Sequence, residues 1–424
     1  MIRQPLDSTS ADLDFLHRDS PFSFDGAWTP APGMPDALDA TAQAPVVAFH
    51  RTVQNIPDRF LSAPTHSQPA ALQHTNPDAL DLTLASYHLP YAPDGGSPDD
   101  TSPSMASAIA FESGVDASGD IAATSFWTWR GGTPAAYAPT SKAHKWGPTT
   151  PGTAGGTVDY FFDSNFTPTE QAEFNACMTL WSDITNIHLT ETTNANAAQI
   201  YIVRGAAGSG AFDDTVWSAG AGAGVVGSST LSTITSSEIS IDTSEPGFGP
   251  IDGSFNTDGG YEWMTILHEI GHAIGLGHSG PYNDGNRGST DPDSAQYSAY
   301  DTRLWSIMSY IMPGDTATYS SQYPVTGTDW GTTTTGGLVF DRVPTTVMPL
   351  DILAAQSLYG TSTSATYAGG QVFGFGCNIT DATKEFYDFT VNTHPVVTLW
   401  DTGTGNTLNL SGFSQAAQID LNPG

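Results

Sequence analysis

Three histidines and one glutamate within a short stretch have the types and spacing needed for metal chemistry: His268-Glu269-Ile270-Gly271-His272, followed by His278. Residues four apart on a helix lie on one face, so the imidazoles of His268 and His272 can reach one ion. Gly275 can end the helix sharply, which lets His278 turn back as a third ligand. Three neutral nitrogens leave one tetrahedral position open for water, which is typical of catalytic zinc.

Glu269 directly follows the first of these ligands in the sequence. Its carboxylate can accept a proton from a water held by the metal, and zinc lowers the pKa of such a water toward about 7. The motif therefore predicts metal-assisted hydrolysis with Glu269 as the general base. Each of the other histidines is isolated or lies in a proline-rich region, so we interpret them as surface or internally satisfied residues.

The segments around this motif carry helix and strand patterns that could position it. Thr167-Pro168-Thr169-Glu170 is a capping box with proline at the first helical position, and it begins a predicted helix. One face of that helix is apolar and comprises Phe174, Cys177, Met178, Trp181 and Ile184. Strands are predicted at 187–190, 199–203 and near 239–241, and helices at about 262–274 and 350–358. Beyond residue 361 the alternation indicates β structure.

Composition limits the partners of this 424-residue chain. It has 44 acidic and 12 basic residues and a net charge of -32, which argues against nucleic acid or anionic membranes as partners. Such acidity suits an extracellular protein or one that binds divalent cations. The two cysteines, Cys177 and Cys377, exclude a disulfide framework, and we expect two buried thiols. No apolar stretch approaches the ~20 residues of a membrane span, so we predict no membrane insertion.

The chain divides into three predicted regions. Residues 1–120 are rich in Pro, Asp, Ala and Ser with weak periodicity, and we interpret them as an N-terminal extension. Residues 121–360 form the predicted catalytic domain, and residues 361–424 begin a C-terminal β domain. Our hypothesis for the extension is that it docks on the catalytic domain and restrains activity, as an inhibitory or pro-segment would.

The sequence HEIGHAIGLGH, followed by Ser306-Ile307-Met308-Ser309-Tyr310, resembles the metzincin zinc peptidases and, among them, the serralysin family. The segments 280–283, 349–360, 410–414 and 419–422 are also similar to that family, so the resemblance covers roughly residues 145–424. It implies an α+β fold: a metzincin catalytic domain with a twisted mixed sheet, helices and a zinc cleft. A β-rich C-terminal domain would follow, and the calcium-binding β-roll repeats of the family are lacking in this chain.

The resemblance also implies roles for individual residues. His268, His272 and His278 would bind zinc and Glu269 would be the general base. Met308 would form the Met-turn beneath the metal. Tyr310 would donate a hydrogen bond to the oxyanion that develops in the transition state, where such a bond is most effective. Substrate would lie extended along an edge strand, for which we select residues 222–227.

The chain departs from the family pattern at two places. Ser279 follows the third histidine, where serralysins usually have proline. At the family's junction calcium site the matching positions are Tyr367, Gly369, Gln371, Asp401, Gly403 and Asn406. Only one of these is a carboxylate, so Asp401, Gly403 and Asn406 form a weak candidate site for Ca²⁺.

The function that these features predict is zinc-dependent endopeptidase cleavage of protein or peptide substrates. The resemblance implies a secreted or cell-surface monomer, exported by a non-Sec route through a C-terminal signal beyond this chain. Two alternatives come from other classes. One is a non-catalytic zinc-containing binding protein on a protease frame, and the other is a calcium-dependent surface or adhesion protein.

Overall fold

The structure is a computed structural model that describes residues 102–129, 137–163, 165–282, 295–323, 325–364 and 366–414, and the backbone of 46–51. Its helices are α1 (Met105–Ser113), α2 (Pro168–Ile184), α3 (Tyr261–Ala273), α4 (Gly327–Trp330), α5 (Pro349–Tyr359) and α6 (Lys384–Tyr387). Its strands are β1 (Val46–Arg51), β2 (His144–Lys145), β3 (Gly156–Phe162), β4 (Ile187–Glu191), β5 (Ile200–Arg204), β6 (Ala211–Ser218), β7 (Ser232–Ile241), β8 (Thr332–Thr335), β9 (Leu338–Asp341), β10 (Val372–Gly374), β11 (Val396–Asp401) and β12 (Thr407–Asn409).

The largest sheet is mixed and has six strands. Strands β4, β3, β5 and β7 lie side by side and parallel, and β2 pairs in parallel with the start of β7. Strand β6 runs antiparallel to β7 and has no further neighbour in the sheet. The mixed sheet with helices confirms the expected α+β character, and β6 gives it one free edge.

Helix α2 begins as its sequence predicts. The hydroxyl of Thr167 accepts a hydrogen bond from the Glu170 amide, and the Glu170 carboxylate accepts one from the Thr167 amide. The predicted apolar face is buried, with Cys177 and Trp181 fully inaccessible. Both cysteines are free thiols; Cys177 is buried as expected, whereas Cys377 is only partly buried.

The glycine-rich stretch after β5 differs from the expectation. It contains β6, in which Asp214, Val216 and Ser218 are exposed at alternate positions, because successive side chains of a strand point to opposite faces of the sheet and one of these faces meets solvent. Residues 222–227, selected above as the edge strand, instead form turns: the Gly224 carbonyl accepts from the Ser141 amide and the Gly224 amide donates to Thr230. Those backbone groups are already paired, so that prediction is wrong, and β6 is instead an edge strand of the sheet.

The described part of the predicted extension, residues 102–120, packs into the main core. Phe111 and Val115 are buried there beside residues of the sheet and of α3. Helix α1 lies against α5, and its Glu112 carbonyl accepts a hydrogen bond from the Gly277 amide at 2.8 Å. The backbone of β1 pairs in parallel with β11. The division at residue 120 stays a prediction, but residues 102–120 share their core with the zinc-motif helix.

The C-terminal region after residue 361 packs into the same core. The β structure expected there is found in part, as three short strands and a short helix. Strands β10 and β12 pair in parallel, and a short helix, α6, lies between β10 and β11. Phe386 of α6 packs edge-on against Trp263 of α3, with ring centroids 5.1 Å apart. Within the described ranges, no helix has the length and apolar character required to cross a membrane.

Candidate metal centre

The imidazoles of His268, His272 and His278 converge on one point. Their Nε2 atoms are separated by 3.1 Å, 3.2 Å and 3.3 Å. His268 and His272 lie one turn apart on α3, and His278 follows the glycine that ends the helix. Among the described residues, this is the group in which three or more metal-ligating side chains come together.

The hydrogen bonds at the outer nitrogens fix the tautomers of the first two histidines. Nδ1 of His268 lies 2.8 Å from the Ile307 carbonyl, and Nδ1 of His272 lies 2.9 Å from the Leu276 carbonyl. Carbonyls only accept, so each Nδ1 carries the proton and each Nε2 turns a lone pair to the shared centre. Burial lowers the pKa of His268 well below its usual value and that of His272 to about 4, which keeps both rings neutral.

A zinc ion fits this arrangement. Tetrahedral coordination with Zn–N bonds of 2.0–2.1 Å separates the nitrogens by about 3.3 Å. The observed separations are close to that value, whereas lone pairs facing each other at this distance would repel in the absence of a cation. The three histidines therefore have the donor atoms and spacing of a zinc site with a position left open, and His268 and His272 also have the required tautomer.

The floor of the site is formed by Met308, which is fully buried. A Cβ atom at Gly271, between the two helical ligands, would lie 2.7 Å from its Sδ atom. The Trp181 ring also approaches Gly271, and its Nε1 donates to the Leu267 carbonyl at 3.1 Å. Glycine is required at 271 because the methionine and the tryptophan occupy the space where a side chain would be.

The end of α3 is held by side chains from distant segments. Nε1 of Trp146 donates to the Ala273 carbonyl at 2.8 Å, and the hydroxyl of Tyr359 donates to the Ile274 carbonyl at 2.6 Å. Gly275 has φ of 103°, and a Cβ there would meet the His144 carbonyl at 2.3 Å. These contacts satisfy the last carbonyls of the helix and direct the chain toward the third ligand.

Glu269 lies on the same helix, between the two helical ligands, and is 6% exposed. Burial raises the pKa of its carboxyl well above the usual value, and the nearby Asp213 carboxylate on β6 raises it further. Asp213 is itself hydrogen-bonded to the hydroxyls of Thr215 and Ser237. Glu269 is thus beside the ligands and next to the free edge strand.

Tyr310 is brought to the ligands by the turn that carries Met308. Its ring centroid lies 4.8 Å from that of His278 and 5.8 Å from that of His268. The Tyr310 amide donates to the hydroxyl of Tyr282, which in turn donates to Asp301 at 2.6 Å. The structure therefore brings together the residues that the sequence predicted for this site: His268, His272, His278, Glu269, Met308 and Tyr310.

Sequence reasoning did not identify the carboxylates behind this site. Oε2 of Glu112, on α1, accepts hydrogen bonds from the hydroxyls of Ser279 at 2.7 Å and Ser306 at 3.0 Å. Asp351 on α5 accepts from the Ile307 amide at 3.0 Å. Burial and the Asp351 charge raise the pKa of Glu112, and burial raises the pKa of Asp351 to about 6. The two acids connect the residue after the third ligand to the Met308 turn.

The candidate calcium residues lie elsewhere, in the C-terminal region. Asp401 Oδ1 accepts from the Gly403 amide at 3.0 Å. The Asn406 side chain accepts from the Gln371 amide and donates to the Tyr367 carbonyl, both at 3.0 Å. The side-chain amide of Asn406 thus connects the loop 401–406 to the loop 367–371 by direct hydrogen bonds. Binding of Ca²⁺ at Asp401, Gly403 and Asn406 stays a prediction.

Sequence comparisons identify proteins to which this chain is similar. A model of the family "Peptidase M10 serralysin C terminal" matches residues 362–424. Serralysin B of Dickeya chrysanthemi is 31% identical over 264 residues, 61% of this chain and 47% of that protein. Metalloprotease AprA of Pseudomonas entomophila is 36% identical over 165 residues, 39% of this chain and 30% of that protein. The resemblance to the serralysin-family metalloproteases is thereby confirmed.

The chain spans less than half the length of these two relatives. Among solved structures, it is similar to high choriolytic enzyme 1, a hatching enzyme zinc-protease from the medaka fish Oryzias latipes. That similarity has a TM-score of 0.27 at 17% identity and covers 51% of this chain and 94% of the other. Myroilysin gives a TM-score of 0.26 at 19% identity and covers 51% and 95%. Scores this low do not by themselves establish a shared fold.

Proposed function

We propose that this chain is a zinc-dependent endopeptidase that hydrolyses peptide bonds of protein substrates. The observation that carries the proposal is the convergence of three imidazole Nε2 atoms within 3.3 Å of one another, with Glu269 between two of these histidines on α3. A structural zinc site needs neither an open position nor an adjacent base. Relatives named metalloprotease and serralysin support the same class of activity.

When bound, zinc supplies a Lewis acid that polarises the scissile carbonyl and lowers the pKa of water at the open position. Glu269 accepts the proton of that water and returns it to the leaving amine, as one general base and acid can do in turn. Tyr310 donates its phenol proton in a hydrogen bond to the oxygen on which negative charge develops. Met308 and Trp181 hold the helix so that the ligands and base keep their separation.

The substrate would bind in an extended conformation along the free edge of β6. An edge strand offers unpaired backbone groups, and a peptide can satisfy them by adding a further strand. The position of β6 supports this proposal, because the strand contacts α3, the helix that carries Glu269, and its Asp213 carboxylate raises the pKa of Glu269. A peptide on β6 would therefore present a backbone carbonyl at the metal. Secretion and extracellular substrates belong to this proposal and are supported by the net charge of -32.

The test compares the parent chain with Glu269→Gln and, as an exposed glutamate control, Glu191→Gln. Zinc content and cleavage of a denatured protein are measured for all three. We expect one zinc in each and cleavage by the parent and the control, but not by Glu269→Gln. Zinc binding without cleavage by the parent, even after removal of residues 1–101, would instead favour the non-catalytic binding protein.

We also propose that the N-terminal extension restrains peptidase activity. The test of this role removes residues 1–101 and not the whole predicted extension of residues 1–120. Residues 102–120 contribute Phe111 and Glu112 to the core, so their removal would damage the site itself. Truncation after residue 101 leaves α1 intact but removes β1, whose backbone pairs with β11, so urea unfolding is used to verify that residues 102–424 remain folded. We expect faster peptide turnover from residues 102–424 if the extension restrains activity, and an unchanged rate would contradict that role.

A further inference from the structure

Away from the zinc centre, two buried glutamates come from the two helices that pack below the sheet. Glu173 lies on α2 and is 2% exposed, and Glu262 lies in the first turn of α3 and is 1% exposed. The loop 252–258 connects to the start of α3, and its Gly253 amide donates to Oε2 of Glu173 at 2.9 Å. None of these residues has a part in the proposed peptidase reaction.

The two carboxylates have oxygens that nothing satisfies. Both oxygens of Glu262, and Oε1 of Glu173, are buried without a hydrogen-bond partner. Buried charged groups of this kind are rare unless they are paired or coordinate a metal. Within the described residues, no ion pair involves Glu173 or Glu262. Arg342 does reach the loop, but its Nη1 donates to the Asn256 side chain at 3.2 Å.

The surrounding charges are of the same sign. Burial raises the pKa of Glu262 to about 10, and the carboxylates of Glu173, Asp252 and Asp258 raise it further. Burial likewise raises the pKa of Glu173 well above its usual value, with Asp252 and Glu385 among the contributing charges. Without a counter-ion, a proton must therefore remain on this pair near neutral pH. A divalent cation would relieve the same repulsion and let both carboxylates ionise.

The loop that leads into α3 has oxygen-bearing side chains at alternate positions of its sequence, as calcium-binding loops do. Asp252, Ser254, Asn256 and Asp258 alternate along the loop, and Glu262 follows at the start of a helix. Calcium loops of the EF-hand type place oxygen donors at alternate positions and end on a bidentate glutamate in the exiting helix. This loop is one residue shorter before its glutamate, and Thr257 stands where the EF-hand has glycine, so it is a different loop with the same donor chemistry.

The rest of the loop is fixed against the helices. The ring of Phe255 stacks on Trp263 of α3 with centroids 4.5 Å apart, and Phe386 of α6 packs against both rings. Phe255 thereby holds the loop against α3 and α6, and the Gly253 amide holds it to Glu173 of α2. Because the loop is already anchored, binding of a cation would carry a smaller entropic cost for ordering it.

We propose that Glu173 and Glu262, together with oxygens of the 252–258 loop, form a binding site for a divalent cation of the calcium type. The site is separate from the histidine centre and from the residues Asp401, Gly403 and Asn406. A cation there would fix the first turn of α3, whose later turns carry His268 and His272. It would therefore stabilise the helix that presents the zinc ligands, without taking part in catalysis.

The experiment measures calcium binding and thermal unfolding of the full chain with zinc held at saturation. Calcium and, for comparison, magnesium are titrated into the parent, Glu262→Gln and Glu173→Gln. Glu385→Gln serves as the exposed neighbouring control, and Asp401→Asn removes the only carboxylate of the other candidate site. Neither measurement depends on peptidase activity, so the outcome is independent of the proposed function.

We expect calcium to raise the unfolding temperature of the parent, Glu385→Gln and Asp401→Asn. Glu262→Gln should bind one calcium fewer than the parent and lose this response, and Glu173→Gln should do the same. Two results would overturn the proposal. One is a parent whose unfolding temperature does not respond to calcium. The other is that Glu262→Gln and Glu173→Gln bind as many calcium ions as the parent and show the same rise in unfolding temperature. That result would mean that the two glutamates share a proton and do not bind a cation.

Discussion

The sulfur of Met308 occupies the space that a side chain at position 271 would need, with 2.7 Å between Sδ and an added Cβ. Gly271 lies between His268 and His272, the proposed metal ligands on α3, so the contact joins the turn that carries Met308 to the middle of this helix. Met308 is fully buried and has little room to move. The position of the methionine is therefore coupled to the separation of the two histidines.

Gly271→Ala should weaken zinc retention and lower the stability of the chain. The clash costs about 1–3 kcal/mol in a packed core. Alanine regains roughly 1 kcal/mol of helix propensity. Zinc loss to a competing chelator and chemical unfolding measure the two effects. Gly220→Ala is the control because nothing lies within 4 Å of an added Cβ there. Equal zinc retention in both variants would show that the contact is not restrictive.

Tyr310→Phe should reduce kcat by about 10²- to 10³-fold, as removal of one oxyanion donor does in other hydrolases. The effect should fall on kcat rather than KM, because the charge that the phenol stabilises exists only in the transition state. Steady-state kinetics on a peptide substrate, with zinc content verified, provide the measurement. A change confined to KM would assign the tyrosine to substrate binding instead.

Tyr359→Phe should destabilise the fold by about 1–3 kcal/mol, since it leaves two buried backbone groups without a partner. The hydroxyl donates to the Ile274 carbonyl and accepts from the Trp146 amide at 3.0 Å. Tyr201→Phe removes an exposed hydroxyl that donates to the Ala195 carbonyl, and it should cost less. Urea unfolding of both variants tests the difference, and equal losses would mean that water replaces the buried bonds.

Glu112→Gln should change how stability depends on pH. Burial and the Asp351 charge raise the pKa of Glu112 in the folded state, so the folded chain binds more protons than the unfolded chain above the ordinary pKa. The contribution of Glu112 to the free energy of unfolding therefore falls as pH rises from about 4.5 through neutrality, by up to about 1.4 kcal/mol per pH unit.

Glutamine keeps an acceptor for Ser279 and Ser306 but has no proton to lose, so this component of the slope should disappear. Unfolding of the zinc-saturated parent and variant at pH 5 and pH 8 measures it, and the contribution of the histidines cancels in the comparison. A stability difference that does not grow with pH would mean that Glu112 is not protonated in the folded chain.

Much of the site was predictable because its information is local. The i, i+4 spacing of His268 and His272, the glycine that ends the helix, and the capping box at Thr167 each depend on neighbours within a turn or two. The helices α2, α3 and α5 are found where their periodicity predicts them. The resemblance to a known family placed Met308 and Tyr310, which spacing alone would not have done.

Only the tertiary structure decided which carboxylates are buried and which strand is free. Glu112 meets Ser279 across 167 residues, and Glu173 lies near Glu262 from another helix. In the sequence these residues look the same as exposed glutamates, because burial depends on what the folded chain places around them. Likewise β6 is an edge strand because, among the residues that the structure describes, no other strand pairs with its outer side, and that depends on the order of the sheet rather than on its own residues.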